Sequence, residues 1–434
     1  MTMPRTTPAV GRIPAAHVAA VSIGNALEFY DFLTFSLFAV YIGDAFFPGK
    51  DPTEKLLSAL ATFWVGFLTR PIGAMVLGPL GDRIGRKPAM LISFVMIGLA
   101  MLGLALTPTY AQIGIAAPIL AVTFRLIQGF ALGGNVGPTT AYMLEAAPPE
   151  RRGFFAAFQY SSQGVAVLGS SVAGLLLARF LGPHDLAAWG WRIAFLVGVI
   201  IVPFGIWLRN RLPETLEAAA GAPQAPDAPS GRSRSTPIKP YTRLIVCGFL
   251  LLVSGTIVTY ALLYLTTFAL DTLKLGPAVA FGVGAVNAVT LIFFSLLGGR
   301  LSDWLGRRRV ILVCAVISAA VTWPIFWAIV HYPGWPTLFA GVAVLGVTTS
   351  IAAAPVIVAL TEGLPPAIRS GGVAIVYAFA ISVFGGATQF VLKGVLVASG
   401  NPMTPAWFII GALALAIPAA LALRETAPAR SKAA

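Results

Sequence analysis

Charged residues are scarce in this sequence. They occupy only 10% of its 434 positions, where soluble domains carry about 25%. That shortage leaves too little polar surface for a soluble enzyme, a nucleic-acid binder or a disordered scaffold, and excludes the three together. Acids are scarcer still, 16 against 29 Lys and Arg, and histidine occurs three times, as His17, His184 and His331. These histidines fall at the ends of apolar runs or in a loop, so proton carriage is expected of carboxylates. The two cysteines, Cys247 and Cys314, both lie inside apolar runs and cannot form a disulfide framework. No spacing of Cys, His or acid suggests a metal site, and no Gly-Lys-Ser/Thr loop suggests ATP hydrolysis. With no cofactor and no catalytic constellation in view, the expected energy source is an ion gradient or a substrate gradient.

What the sequence has instead is apolar length. Hydrophobic residues make up 57% of the chain and the mean hydropathy is +0.85. Runs of roughly 20 residues, enough to cross a bilayer as helix, predict twelve spans. They lie near 17–42, 57–79, 88–107, 111–135, 154–181, 190–211, 243–270, 279–300, 309–331, 335–361, 371–396 and 404–424. The first run contains acids and has spanning length, unlike a cleavable signal core, and is read as the first transmembrane helix. Between the sixth and seventh runs, Pro213 to Pro240 is rich in Ala, Pro, Gly and Ser, the composition of a solvated linker. The expected organisation is an N-terminal six-helix bundle at 1–212, a linker at 213–242, and a C-terminal six-helix bundle with a short tail at 243–434.

Twenty-one of the 29 Lys and Arg fall in loops on one side of these spans and six on the other; Arg70 and Arg125 remain mid-span. The positive-inside rule places both termini and the linker in the cytoplasm. The basic excess thus reads as topology, and no nucleic-acid partner is expected.

Two internal repeats support the division into halves. Gly78, Asp82, Arg83, Gly85, Arg86 and Lys87 follow the second span, and Gly299, Asp303, Gly306, Arg307 and Arg308 follow the eighth in the same register. Glu145 precedes Arg152 after the fourth span by the same interval as Glu362 precedes Arg369 after the tenth. Repeated six-helix halves with a site between them are the architecture of alternating-access carriers.

The segment Gly78 to Lys87, its counterpart at 299–308, and Arg125-Leu126-Ile127-Gln128-Gly129 resemble the signature motifs of the major facilitator superfamily. Gly24-Asn25, Glu28, Tyr30-Asp31-Phe32, Arg70-Pro71-Ile72-Gly73 and Trp189-Gly190-Trp191-Arg192 resemble, more narrowly, its metabolite:proton symporter family. Phe67 to Gly73 and Phe158 to Gln163 are most similar to citrate and tricarballylate symporters. The resemblance implies an all-α membrane fold of two pseudo-symmetric bundles and a role for Arg125 in proton coupling. It also implies a conformational latch built from Gly81, Asp82, Arg83, Gly85, Arg86, Glu145, Arg152, Asp303, Gly306, Arg307, Glu362 and Arg369. One departure stands out: many relatives carry an acid where this chain has Asn135, so their coupling need not transfer unchanged.

The residues themselves point to a site near mid-membrane. Glu28 lies eleven residues beyond His17, about 16 Å into a span, and Asp31 shares much of its face one turn later. Two acids at that depth suit the holding and release of a proton. Arg70 and Arg125 are also near mid-membrane, always charged, and must meet acids, carbonyls or an anionic substrate. Glu28, Asp31, Arg70 and Arg125 together balance to zero, so protonating one acid frees an arginine for a carboxylate. The alternative is a static salt bridge. Gln128 follows Arg125 by one turn, while Gln159 and Gln163 share a stripe; they offer amide donors to a many-oxygen ligand or hydrogen bonds between helices. Asn25 and Tyr30, from the first-span motif, complete the candidate contacts. Lys393 either adds a cation for a polyanion or snorkels to the outer surface.

These features predict a monomeric carrier of the bacterial inner membrane, with lipids, protons and a small organic anion as partners. The expected cargo is a citrate-like tricarboxylate. A proline or betaine symporter is the nearest alternative, and a proton-driven exporter the next.

Overall fold

A computed structural model describes residues 15–84, 86–133, 147–211 and 239–427. They are almost wholly helical, as lipid requires of a chain that must satisfy its own backbone donors and acceptors. The first half contains α1 (Ala15–Leu37), α2 (Ala39–Phe46), α3 (Pro52–Leu68), α4 (Arg70–Ile84), α5 (Arg86–Leu106), α6 (Ala116–Gly133), α7 (Arg152–Phe180), α8 (Trp191–Gly198) and α9 (Ile201–Arg211). The second contains α10 (Thr242–Asp271), α11 (Pro277–Leu305), α12 (Arg307–His331), α13 (Trp335–Gly363), α14 (Pro366–Phe379), α15 (Gly386–Ser399) and α16 (Thr404–Ala422).

Among the described residues, ten helical stretches are long and apolar enough to cross a membrane. Ser22–Leu37 with Ala39–Phe46 forms an eleventh span bent by 68°, and the shorter apolar helix Leu91–Leu106 stands at the third predicted position. Each of the twelve expected segments therefore has a helical counterpart. Boundaries moved where a polar cap extends a helix beyond its apolar run. The second span begins at Pro52 rather than near 57, because the Asp51 side chain accepts from Thr53 N at 2.9 Å and Pro52 occupies the first turn. The fourth begins at Ala116, after a turn at Tyr110–Ile113 and Gly114 at φ +60°.

Two large hydrophobic clusters, with a small third at Ala156, Ile357 and Val358, form the interior. One is drawn mainly from the first half, with Phe281 and Ala288 joining it; the other is drawn mainly from the second, with Leu56 and Leu60 joining it. The halves meet along α7 and α11. Gly153 and Gly299 face each other so closely that a Cβ on either would strike the other's carbonyl oxygen. Farther along the same seam Gly164 lies on Ile292, and Gly174 lies on Phe281. Small residues permit this approach, and in lipid the contact energy comes from van der Waals packing rather than from expelling water. A second seam joins α3 to α15, where Trp64 stacks on Phe390 at 6.2 Å between centroids and Gly386 lies against Phe67.

Candidate functional site

The bent first span brings Asn25, Glu28 and Asp31 into the bundle interior, where they are 4%, 4% and 2% exposed. Arg125, on α6, is 0% exposed and Arg70, at the start of α4, is 8% exposed. The approach of α6 to α3 and α4 is set by glycine: a Cβ at Gly129 would overlap Gly66 O, and one at Gly133 would overlap Arg70 O. Thr69 ties the same helices together, donating from Oγ1 to Leu126 O at 2.8 Å.

Both guanidinium groups rest on aromatic rings. Arg70 Cζ lies 4.4 Å from the Phe32 centroid and 4.1 Å from that of Phe67. Arg125 Cζ lies 4.5 Å from both Phe32 and Phe35, and 5.5 Å from Phe63. Ring faces offset part of the cost of burying cation charge, but they accept no in-plane hydrogen bond. Nε and one terminal nitrogen of each arginine are buried without a hydrogen-bond partner among the described residues. Four N–H-bearing atoms on two cations sharing one phenyl ring form a strong locus for a carboxylate, which accepts in pairs from a guanidinium fork.

The remaining Arg125 nitrogen is used. It donates to Gln128 Oε1 at 2.7 Å, and Gln128 Nε2 donates to Asp31 Oδ1 at 2.8 Å. Gln128 is thus a relay between the arginine and the acid, rather than a separate amide facing a ligand. Glu28 lies one helical turn from Asp31, buried on the same helix. Gln159 and Asn25 bind each other, with Gln159 Nε2 donating to Asn25 Oδ1 at 3.1 Å and Asn25 Nδ2 donating to Ser162 Oγ at 2.7 Å. Gln163 sits against Tyr377. Tyr260 packs edge-on to Phe63 and Phe67, and both tyrosines lie within electrostatic reach of Arg70. The second half therefore contributes Tyr260 and Tyr377 to the region, and Tyr377 carried no sequence signal distinguishing it from other span tyrosines. Gln389 exchanges hydrogen bonds with Ser36 at 2.8 and 2.9 Å, tying α15 to α1.

Two sequence candidates lie away from the arginines. Tyr30 Oη donates to Ala194 O at 2.9 Å, bracing α1 against α8. Lys393 forms an ion pair with Asp271 at 2.5 Å, at the end of α10 remote from the arginine-rich loops.

The motif after the eighth span builds a distinct cluster. Asp303 accepts from Gly153 N at 2.9 Å and Phe154 N at 3.0 Å, capping α7 across the seam. Arg307 NH1 donates to Asp303 at 2.6 Å, and Nε and NH2 donate to Glu362, each at 3.3 Å. Glu425 accepts from Arg307 N and Arg308 N at 2.8 and 3.2 Å, and Thr426 Oγ1 donates to Glu362 at 3.1 Å. Sequence reasoning missed the last two because the tail carries no motif. Gly306, at φ +104°, makes the turn that presents these groups. Of the first-half counterparts, Arg83 is exposed and Arg152 opens α7. Gly85, Asn135 and Glu145 lie outside the described residues, as do the side chains of Asp82, Arg86 and Arg369; Gly81 lies within α4.

Comparison with known proteins gives a consistent picture. The sequence profile of the Major Facilitator Superfamily matches residues 21–290 and 283–434. The chain is 32% identical over 393 residues to a citrate-proton symporter of Klebsiella pneumoniae, covering 90% of this chain and 88% of that one. It is 31% identical over 383 residues to an alpha-ketoglutarate permease of Escherichia coli (strain K12), covering 86% and 85%. Its fold matches the crystal structure of a D-xylose-proton symporter with a TM-score of 0.74 at 18% identity, over 95% and 98% of the two chains.

Proposed function

The chain belongs to the Major Facilitator Superfamily, and on that premise we propose that it imports a small organic carboxylate, of the citrate or 2-oxoglutarate class, together with protons. It is a multi-pass, proton-coupled transporter and not an enzyme. The observation that carries the substrate reading is the pair of buried arginines with unmatched donors on Phe32. One carboxylate accepts from Arg125 Nε and NH2, and a second from the corresponding atoms of Arg70, with Tyr260 and Tyr377 closing the site from the other half. Citrate and 2-oxoglutarate each carry two carboxylates that can be shared in this way. Two guanidinium groups with unmatched donors offer seats for two carboxylates, which favours a di- or tricarboxylate over a zwitterion with one.

Proton coupling follows from the relay. With Asp31 ionised, Gln128 is committed between Asp31 and Arg125, and part of the arginine's field is neutralised from within. Protonation of Asp31 removes that negative charge and leaves Arg125 to the substrate; return of the arginine to the acid expels the proton after the substrate has gone. Glu28 is the second acid of this pair. Alternating access is a rocking of the two halves about the α7–α11 and α3–α15 seams, with Asp303, Arg307 and Glu362 latching the arginine-rich face, which is cytoplasmic in this reading. The membrane is the bacterial inner membrane.

Uptake of labelled substrate into proteoliposomes under an inward proton gradient tests the proposal, with citrate, tricarballylate, 2-oxoglutarate, proline and betaine as competitors. Competition by the di- and tricarboxylates is the expected result. Displacement by proline or betaine alone would overturn the carboxylate assignment, and efflux without uptake would reverse the direction.

A further inference from the structure

Away from the arginine-rich face, where α3 of the first half meets α10 and α15 of the second, the surface opens into a cleft of about 280 Å³. Thr53 forms one wall; Asp271, Lys274 and Lys393 line the other. The Lys393 side chain is only 7% exposed, and its ammonium is held by Asp271 at 2.5 Å. Lys274 approaches the same carboxylate at 3.9 Å but has a side chain 77% exposed. One carboxylate thus answers two ammonium groups, and the cluster carries a net positive charge.

Three acids stand on the neighbouring rim, each with its own contact outside the Lys393 cluster. Asp44 is paired with Lys55 at 3.5 Å. Asp51 caps α3 through Thr53 N, and Glu54 lies against the Gly49 turn rather than in the cleft. A lysine 93% buried, sharing one carboxylate with a second lysine in an open cleft, is a seat for an anion from solution. Thr53 stands in the same lining with a hydroxyl that can donate to its oxygens, while the Thr272 hydroxyl donates to Asp271 at 3.5 Å.

The cleft also lies at the head of a continuous line of contacts. Below Lys393, α15 passes Phe390, stacked on Trp64, and then Gly386, packed on Phe67; the Phe67 ring carries Arg70 at 4.1 Å. From Lys393 to Gly386 is two helical turns, roughly 10 Å. The α3–α15 seam therefore connects the cleft to the central arginines through Phe390, Trp64 and Phe67.

We propose that this cleft is a first capture site for the carboxylate substrate, in which the incoming anion competes with Asp271 for Lys393 and Lys274 before the α3–α15 seam opens. The assignment rests on the carboxylate reading given above. It makes Lys393 a substrate contact at the outer surface, distinct from the central pair.

Protection of Lys274 from a membrane-impermeant amine-reactive ester, quantified by mass spectrometry on the full chain in proteoliposomes, tests this directly. Citrate and 2-oxoglutarate are expected to slow modification at least threefold, betaine to have no effect, and Lys393→Gln to weaken the protection. Arg125→Gln should retain it, because the cleft fills before the central site. Loss of protection in folded Arg125→Gln would overturn the capture site, since the change at Lys274 would then report central binding alone. Wild-type uptake of the same carboxylates, measured in parallel, separates that failure from a failure of the substrate reading. Should Arg125→Gln not fold, Lys274→Gln decides: its uptake kcat/KM for carboxylate should lie about threefold below the wild type's in low salt, and the difference should vanish in 0.5 M salt, where screening lowers the wild-type value. An unchanged kcat/KM in low salt would refute the proposal.

Discussion

Arg125 and Arg307 are equally hidden, both at 0% exposure, and are placed to opposite effect. Arg307 engages Ser302, Asp303 and Glu362 with all three of its nitrogens. Arg125 spends one nitrogen on Gln128 and leaves two facing aromatic rings. A buried cation that is fully matched is part of a structural joint. A buried cation that is half matched costs stability, and a chain retains that cost where a partner arrives from outside. Burial alone therefore does not distinguish a latch from a binding site; the accounting of donors does.

The largest effect should come from the matched arginine. Arg307→Gln strands Asp303 and Glu362 without their cation, and by analogy with broken buried pairs should cost about 3–5 kcal/mol, seen as an early thermal transition in detergent. Arg125→Gln should instead leave that transition unchanged or raised, while weakening equilibrium binding of labelled carboxylate about 100-fold, roughly 2.7 kcal/mol. If the two variants melt alike and bind alike, the contrast between them is wrong.

Asp31→Asn sharpens the same contrast on the proton side. It preserves the shape of the Gln128 contact and removes the titrating oxygen, so accumulation driven by a pH gradient should vanish while substrate exchange stays within about threefold of the wild type. Glu28→Gln provides the companion measurement. Uphill accumulation at the wild-type proton ratio in both variants would remove these two acids from the coupling. The smallest effect on binding is expected from Asp303→Asn, which keeps the side-chain shape but weakens both the cap on α7 and the Arg307 pair. Turnover should drop several-fold and carboxylate affinity should hold within about threefold; a lost affinity would mean that the latch and the site are not separable.

Much of this was legible before any coordinates. A lone Arg or Asp in the middle of an apolar span has few places to go, so Glu28, Asp31, Arg70 and Arg125 could be placed in the interior by depth alone. Pairings between distant spans could not. That Gln128 stands between Arg125 and Asp31 depends on the rotation of α6 against α1, which hydropathy does not encode. Asp271 sits at the last residue of its helix, where an acid reads as a solvated end, and only the proximity of α15 turns it into the partner of Lys393. The aromatic seat of the arginines was likewise hidden, because Phe32, Phe35, Phe63 and Phe67 are indistinguishable in sequence from the other phenylalanines of an apolar chain.

The cap on α12 carries a consequence for how the molecule is made. The backbone N–H groups of Arg307 and Arg308 are satisfied by Glu425, which follows α16 and so leaves the ribosome after the helices described above. Until that moment the ninth span sits in the bilayer with its leading turn unfinished, and the Arg307 cluster lacks the Thr426 hydroxyl that steadies Glu362. Biogenesis of the joint is consequently a late event, completed by Glu425 and Thr426 rather than by the packing of α12 itself. A reporter or purification tag fused ahead of Glu425 would interrupt that step, whereas one placed beyond Ala427 leaves the cap intact.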